Sequence, residues 1–400
     1  MNSLSKSTVF GSFIAVIAIL LSGHAAVTLF PIIQYSAYLL ALVVGLLILL
    51  SLKNSRVTTQ SVCLAFFAVM IVCTLVTNWD GTPFYYLWLG CLILSAYGIA
   101  EIYSFKTVAS FYLKTMTVLS CIALVGYLLV NLTDLMSGLP LFMNTNGIGY
   151  RFGLIFNYIE IIPTRNCGIF WEPGLFATHL AIASVFELIL HEKPRLSRLF
   201  LFLICIITAN SSAGFVLAFL IFMLYFVLKA KKNQSKMQQL LTFILLVFCI
   251  LIALNFDTIL EQTPLGENEY LQKLSTDSIF SSTRMNAIRH NLSIFLKNPL
   301  FGAGVIKVGE SIDYVADTST STYMMSIFGF MGIGYTLLWI YGILRQKSFS
   351  FFSKLLLTVI VLIILNKEPH HQLLFSWILL FYLIKSPQKP SLTKEHEGRS

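Results

Sequence analysis

Long apolar windows separated by short polar punctuation dominate this chain. Runs of about 18 to 22 residues, the length that crosses a bilayer core, can be placed over 8–26, 33–52, 58–76, 84–103, 108–130, 173–190, 211–229, 239–255, 323–343, 349–366 and 371–385. A shorter run from Leu196 to about Thr208 separates the basic stretch His191–Arg198 from the turn Asn210-Ser211-Ser212, and counting it gives twelve spans. The pattern predicts an all-α polytopic membrane protein, one integral domain over 1–400 with two long connections, 131–165 and 256–322. The first apolar run, Val9–Leu21, lacks a small-residue cleavage site and reads as a span, not a removable signal.

Composition agrees: over 400 residues, 57% are hydrophobic and only 11% charged. The net charge of +9 raises the question of nucleic acid, but the basic residues are scattered between apolar runs and form no aromatic-basic motif. Topology accounts for them better. With both termini cytoplasmic, Lys53, Arg56, Lys106, Lys193, Arg195, Arg198, the Lys229–Lys236 cluster, Arg345, Lys347 and the tail after Lys385 all fall inside, and most acids fall outside. Both long connections are then outer loops, rich enough in apolar and aromatic residues to argue for function on that face. Six of the seven cysteines lie within predicted spans and Cys167 stands alone, so no disulfide framework or C-x-x-C motif is present.

Candidate chemistry concentrates on that outer face. Arg165 to Ala177, R-N-C-G-I-F-W-E-P-G-L-F-A, puts Arg165, Trp171 and Glu172 at the mouth of an apolar helix whose first position suits Pro173. An anion would be favoured there by the helix dipole and the guanidinium together. The alternative is that Arg165 snorkels and Glu172 caps the helix. In the second loop, Met285, Ile288, Leu292 and Phe295 predict a helix lying flat on the membrane surface, with Arg284 and Arg289 on its edges and His290 alongside; a plain amphipathic anchor explains it equally. Asn298-Pro299 ends that helix and Gly302-Ala303-Gly304 allows a tight return. Ser211 and the Asp317–Tyr323 stretch read as helix caps, although the Asp317 carboxylate is also a candidate base. Glu368, His370 and His371 read as solvated turn residues, their spacing matching no metal-ligand pattern. No phosphate-binding loop, dinucleotide fingerprint, HExxH or GxSxG occurs in a workable context. Arg165, Arg284 and Arg289 instead break the positive-inside trend, which a membrane-embedded anionic substrate would explain.

These features resemble the bacterial O-antigen polymerase and O-antigen ligase superfamily (Wzy and WaaL type). The resemblance rests on Arg165 with Gly168-Ile-Phe170-Trp171-Glu172-Pro173-Gly174 and Ala177, on Ser211-Ser212-Ala-Gly214, on Arg284 with N-P-L-F-G-A-G, and on Gly329 and Gly332. It covers roughly residues 160 to 340. It implies a GT-C-like inner-membrane glycosyltransferase without a metal or other cofactor, acting at the periplasmic face on an undecaprenyl-pyrophosphate-linked oligosaccharide. A chain-length regulator protein is a candidate partner, and nucleic acid is not. Arg165 and Arg284 match the family's substrate-binding arginines; Glu172 or Asp317 would serve as base, with Arg289, His290, Trp171, Ser211 and Tyr323 as further substrate contacts. The ligase branch carries a His-Asn pair ahead of the tenth-span equivalent, where this chain has Thr and Ser, and that departure favours a polymerase. A ligase acting on lipid A core shares the site; a lipid-linked oligosaccharide flippase would need polar groups through the membrane, whereas these charges keep to the surfaces.

Overall fold

A computed structural model describes residues 18–19, 21–36, 39–40, 43, 58–79, 82–144, 147–233, 283–309 and 316–385. The predicted spans over 8–26, 33–52 and 239–255 fall wholly or largely outside these residues, as do 256–282 and 310–315 of the second long loop. The helices are α1 (Ala25–Leu29), α2 (Thr59–Thr77), α3 (Pro83–Ile102), α4 (Phe105–Leu132), α5 (Pro173–Leu190), α6 (Leu196–Ala209) and α7 (Ser212–Asn233). After the second long connection begin α8 (Thr283–Lys297), α9 (Val305–Gly309), α10 (Thr320–Phe328), α11 (Phe330–Leu344), α12 (Phe351–Leu365) and α13 (Leu374–Ile384). Among the described residues α2, α3, α4, α5 and the 212–229 part of α7 are long and apolar enough to cross a membrane, with α6, α11, α12 and α13 as shorter apolar companions. The chain is a multi-pass membrane protein.

Local sequence sets the helix starts. Thr58 and Ser61 close a reciprocal capping box on α2, Pro83 and Pro173 occupy first-turn positions, and Ser104 and Ser350 cap α4 and α12. Burial then separates two kinds of helix. On α4, Tyr112, Met116 and Ala123 are buried while Val118, Val125 and Leu128 are exposed, a one-faced pattern that turns apolar side chains toward lipid. By contrast α5 is apolar all round and buried from Pro173 to Leu188, the mark of a helix enclosed by others; α4, α6 and α7 pack around it. Its far end is closed by the buried Glu187, which accepts from Arg198 at 2.5 Å and from the Arg195 backbone at 2.7 Å.

The first long connection is not featureless. Leu141–Met143 (β1), Gly149–Gly153 (β2) and Phe156–Ile159 (β3) form an antiparallel meander in which Phe142 faces Tyr150 and Arg151 faces Tyr158. Arg151 and Glu160 pair across it at 2.8 Å. The span predicted over 323–343 is broken at Gly329, where φ is 63°. The Asn298–Gly304 return lies backbone against backbone on this break: Phe330 N donates to Pro299 O at 2.7 Å and Ala303 N to Ser326 O at 2.8 Å. A Cβ at Gly329 would stand 2.4 Å from Pro299 O, and one at Gly302 2.0 Å from Ile327 O. A broken helix survives in an apolar setting because its freed backbone groups find these partners.

Candidate functional site

The Arg165–Glu172 segment, which turns between Cys167 and Phe170, is held by backbone bonds on both sides. Asn166 N donates to Thr208 O at the end of α6, Ala25 N to Ile169 O, and Trp171 N to Gly23 O. Asn157 of β3 donates to Gly168 O, and Tyr150 of β2 donates its hydroxyl proton to Trp171 O at 2.8 Å. The strand pairs and the α6 end therefore deliver Glu172 to the start of α5. Arg165, half-buried, donates from Nε to Ala209 O at 3.3 Å, which leaves the far edge of its guanidinium available.

Glu172 occupies the N-cap position of α5 but makes no capping bond. Its carboxyl is hydrogen-bonded to that of Glu368, in the turn between α12 and α13. Lys367 Nζ lies 3.6 Å and Arg284 Nη2 3.8 Å from Glu368 Oε1. That oxygen and Arg284 Nε are buried without a hydrogen-bond partner among the described residues. The approach is so close that a Cβ on Gly174 would meet Glu368 Oε1 at 2.6 Å and Lys367 Nζ at 2.8 Å. Burial opposes ionisation of both carboxyls. For Glu172 it is overcome by the bond to Glu368 and by the charges of Lys367, Arg284 and Arg165, which hold it below the usual carboxylate range. Burial and then the Glu172 charge push Glu368 well above that range. Burial lowers the Lys367 ammonium against the pull of both glutamates.

Residues 198–327 match the sequence model of a family described as O-Antigen ligase. Over those residues, about a third of the chain, it is similar to the O-antigen polymerase and ligase superfamily. No curated protein and no solved structure matches it. The superfamily segment runs from α6 into α10 and carries Ser211, Arg284, Arg289, His290, Asp317 and Tyr323, while Arg165, Trp171, Glu172, Lys367 and Glu368 lie on either side of it in the chain.

The structure brings Arg165, Glu172 and Arg284 together and spreads the other predicted residues around them. Asp317 is half-buried and accepts from Gln372 Nε2 at 3.3 Å; burial raises its carboxyl, its own backbone N–H and Gln372 oppose this, and the Glu172 charge adds to the rise. Tyr323 is buried with its ring 4.9 Å from that of His371. Trp171 is half-buried against Leu175 and the cluster of Ala25, Leu29 and Tyr150. The Ser211 hydroxyl, buried and without a partner among the described residues, follows the Ala209 carbonyl that holds Arg165 and makes no capping bond.

Several expectations are corrected. On α8 the inward face is Arg284, Ala287, Asn291 and Phe295, with Leu292 and Leu296 exposed, so of the apolar stripe Phe295 packs inward while Leu292 stays exposed. Arg284 meets Glu368 and Asn291 donates to Thr322, so polar groups share the inward face with Ala287 and Phe295 because partners wait there. Arg289 is exposed outside the cluster, and His290 contacts Val308 O at 3.4 Å. The serines and threonines after Asp317 do not cap α10: Ser319 reaches Asn366 at 2.8 Å and Thr320 donates to Glu368 O at 2.9 Å. Glu368, His370 and His371 are not solvated but buried, with His370 Nδ1 on Ser376 at 2.8 Å and His371 Nδ1 near Thr320 at 3.4 Å.

Lys367 escapes the sequence reading and Glu368 is read only as a solvated turn residue, yet two signals point to them. Lys367 stands in a predicted outer turn, against the positive-inside trend as Arg165 does. The dipeptide Glu368-Pro369 repeats Glu172-Pro173 at the mouth of another apolar helix.

Proposed function

We propose that the protein is a polymerase of O-antigen or a related surface polysaccharide, transferring a growing glycan from undecaprenyl pyrophosphate to a new lipid-linked repeat unit at the periplasmic face of the bacterial inner membrane. The observation that carries this reading is the convergence of Arg165, Arg284 and Lys367, from three distant parts of the chain, on one buried carboxyl pair. Two carboxyls this close resist carrying two full charges, so the pair by itself does not neutralise the three basic side chains. The ionised phosphates of a glycosyl lipid diphosphate would complete their pairing. As the glycosidic bond breaks, negative charge grows on the departing diphosphate, and fixed guanidinium and ammonium groups stabilise it without reorganisation.

Glu172 supports the same reading as the base, since it is held ionised at the helix mouth and its side chain is not spent on capping. The Thr and Ser ahead of the α10–α11 span, in place of the ligase branch's His-Asn pair, support the polymerase over the ligase. Deleting the gene and resolving surface glycan by gel electrophoresis separates the readings. A single repeat unit left on lipid A core is the expected result; no repeat at all indicates a ligase or a flippase.

A further inference from the structure

Away from the carboxyl pair, a cavity of about 620 Å³ lies inside the Glu187 end of the bundle, between α5, α11, α12, α13 and the turn from α3 to α4. Its body is apolar. Ile182, Phe186, Trp339, Ile360 and Leu379 line it, and it runs from Ile182 to Ile189 on α5 and from Leu357 to Ile364 on α12, about 10 Å along each helix. That is most of the roughly 15 Å depth of one bilayer leaflet. The volume falls within the roughly 300–1,000 Å³ of small-molecule sites and is roughly four times that of a ~150 Å³ apolar cavity that already admits an aromatic guest.

The polar lining is confined to one end. Glu101, Ser104, Gln346, Ser348 and Lys385 all belong to turns and helix ends at the Glu187 level, which Phe105 marks by its ring contacts with Phe186 at 5.5 Å and Tyr382 at 5.6 Å. The opposite end, around Ile360 and Ile364, is apolar. Glu101 stands in the last turn of α3, where its charge meets the negative end of the helix dipole. Lys385 Nζ lies 3.9 Å from Glu101 Oε2, too long for a hydrogen bond, and donates instead to Ala100 O at 2.6 Å. Glu101 Oε1 is buried without a hydrogen-bond partner among the described residues. A carboxylate oxygen that lacks a donor thus stands beside an ammonium with donors to spare.

We propose that this cavity binds a membrane phospholipid whose head group carries a primary ammonium. One acyl chain fills the apolar body, the ammonium donates to Glu101 Oε1, and Lys385 pairs with the phosphate. A head group without the ammonium leaves Glu101 without its donor and sets a second negative charge beside it. A polyprenyl diphosphate at the carboxyl pair would carry its head at the other end of α5, against the polarity of this lining. The charge partition predicts that the Glu187 end is cytoplasmic, so the ligand comes from the cytoplasmic leaflet, and the inference stands apart from the polymerase reading.

Native mass spectrometry of the full-length protein tests it, after incubation in detergent with equimolar phosphatidylethanolamine and phosphatidylglycerol of the same acyl chains. One bound phosphatidylethanolamine per protein is expected, favoured about tenfold, the worth of one charge-assisted hydrogen bond. Glu101→Gln should erase that preference. Val361→Trp, which sets a ring into the cavity from a half-buried position on α12, should lose the bound lipid, and Ile189→Trp does the same from α5. The wild-type competition decides by itself should a variant fail to fold. The inference is overturned if the wild type carries no phospholipid or does not favour phosphatidylethanolamine, or if the preference survives Glu101→Gln. Undiminished binding in folded Val361→Trp and Ile189→Trp also overturns it, since the lipid would then lie outside the cavity. A polyprenyl lipid retained in place of the phospholipid overturns it as well and gives the cavity to the substrate's chain.

Discussion

Arg165 and Arg284 approach the same carboxyl pair by different means, one pinned through Nε to a helix-end carbonyl and the other through an ion pair at 3.8 Å. Replacing either by Ala is expected to abolish polymer, and by Lys to retain a fraction, since the charge survives but the planar fork does not. Arg289→Ala should keep normal polymer length, because that side chain is exposed outside the cluster. Gel analysis at matched protein levels checks all three, and full-length polymer from Arg165→Ala would remove it from the site. Gly174→Ala tests the geometry more sharply. The new Cβ meets the ends of the Glu368 and Lys367 side chains, not backbone, and Ala favours a helix over Gly by roughly 1 kcal/mol. Thermal stability should hold or rise while polymer formation drops, a separation that general misfolding would not produce. At this scale the arginines were legible because they violate a charge rule. Glu368 was not, since one carboxylate in a short polar turn looks the same whether the turn is wet or folded inward.

At the scale of elements, most described helices could be read from apolar windows, and the 173–190 window coincides with α5. Windows report hydrophobicity but not continuity, so 323–343 reads as one span although the chain breaks at Gly329. The break depends on the Asn298–Gly304 return, a contact between residues about thirty apart that no local window contains. The inward face of α8 was hidden for a related reason: the apolar stripe marks a surface-lying helix but does not tell that Arg284 and Asn291 turn inward, where Glu368 and Thr322 await them. Gly329→Ala should therefore destabilise the fold. A side chain at φ 63° beside Pro299 O costs about 1–3 kcal/mol in backbone strain before the clash is counted. A lower unfolding temperature in detergent, with lost activity, is expected; an unchanged transition would mean that the return and the broken helix can part freely.

For the whole molecule, the two ends of α5 carry opposite kinds of ionic cluster. At the Glu187 end the acid is matched by Arg198 and by the Arg195 backbone, a closed structural arrangement. At the Glu172 end Arg165, Arg284 and Lys367 face Glu172, Glu368 and Asp317 around buried hydrogen-bonding atoms without a partner among the described residues, an arrangement suited to receiving a charged ligand. The charge partition along the sequence predicts that the Glu172 end is periplasmic and the Lys193–Arg198 stretch cytoplasmic. Single cysteines at Leu154 and Lys193, both exposed and on opposite sides in this assignment, test it directly. In cells with a permeabilised outer membrane, a membrane-impermeant maleimide should label Leu154→Cys and spare Lys193→Cys until the inner membrane is opened. The native Cys167 is buried and gives no competing signal from the periplasmic side. Labelling of Lys193→Cys in sealed cells would invert the protein, bring the carboxyl pair to the cytoplasm, and exclude a periplasmic transfer of lipid-linked glycan at this site.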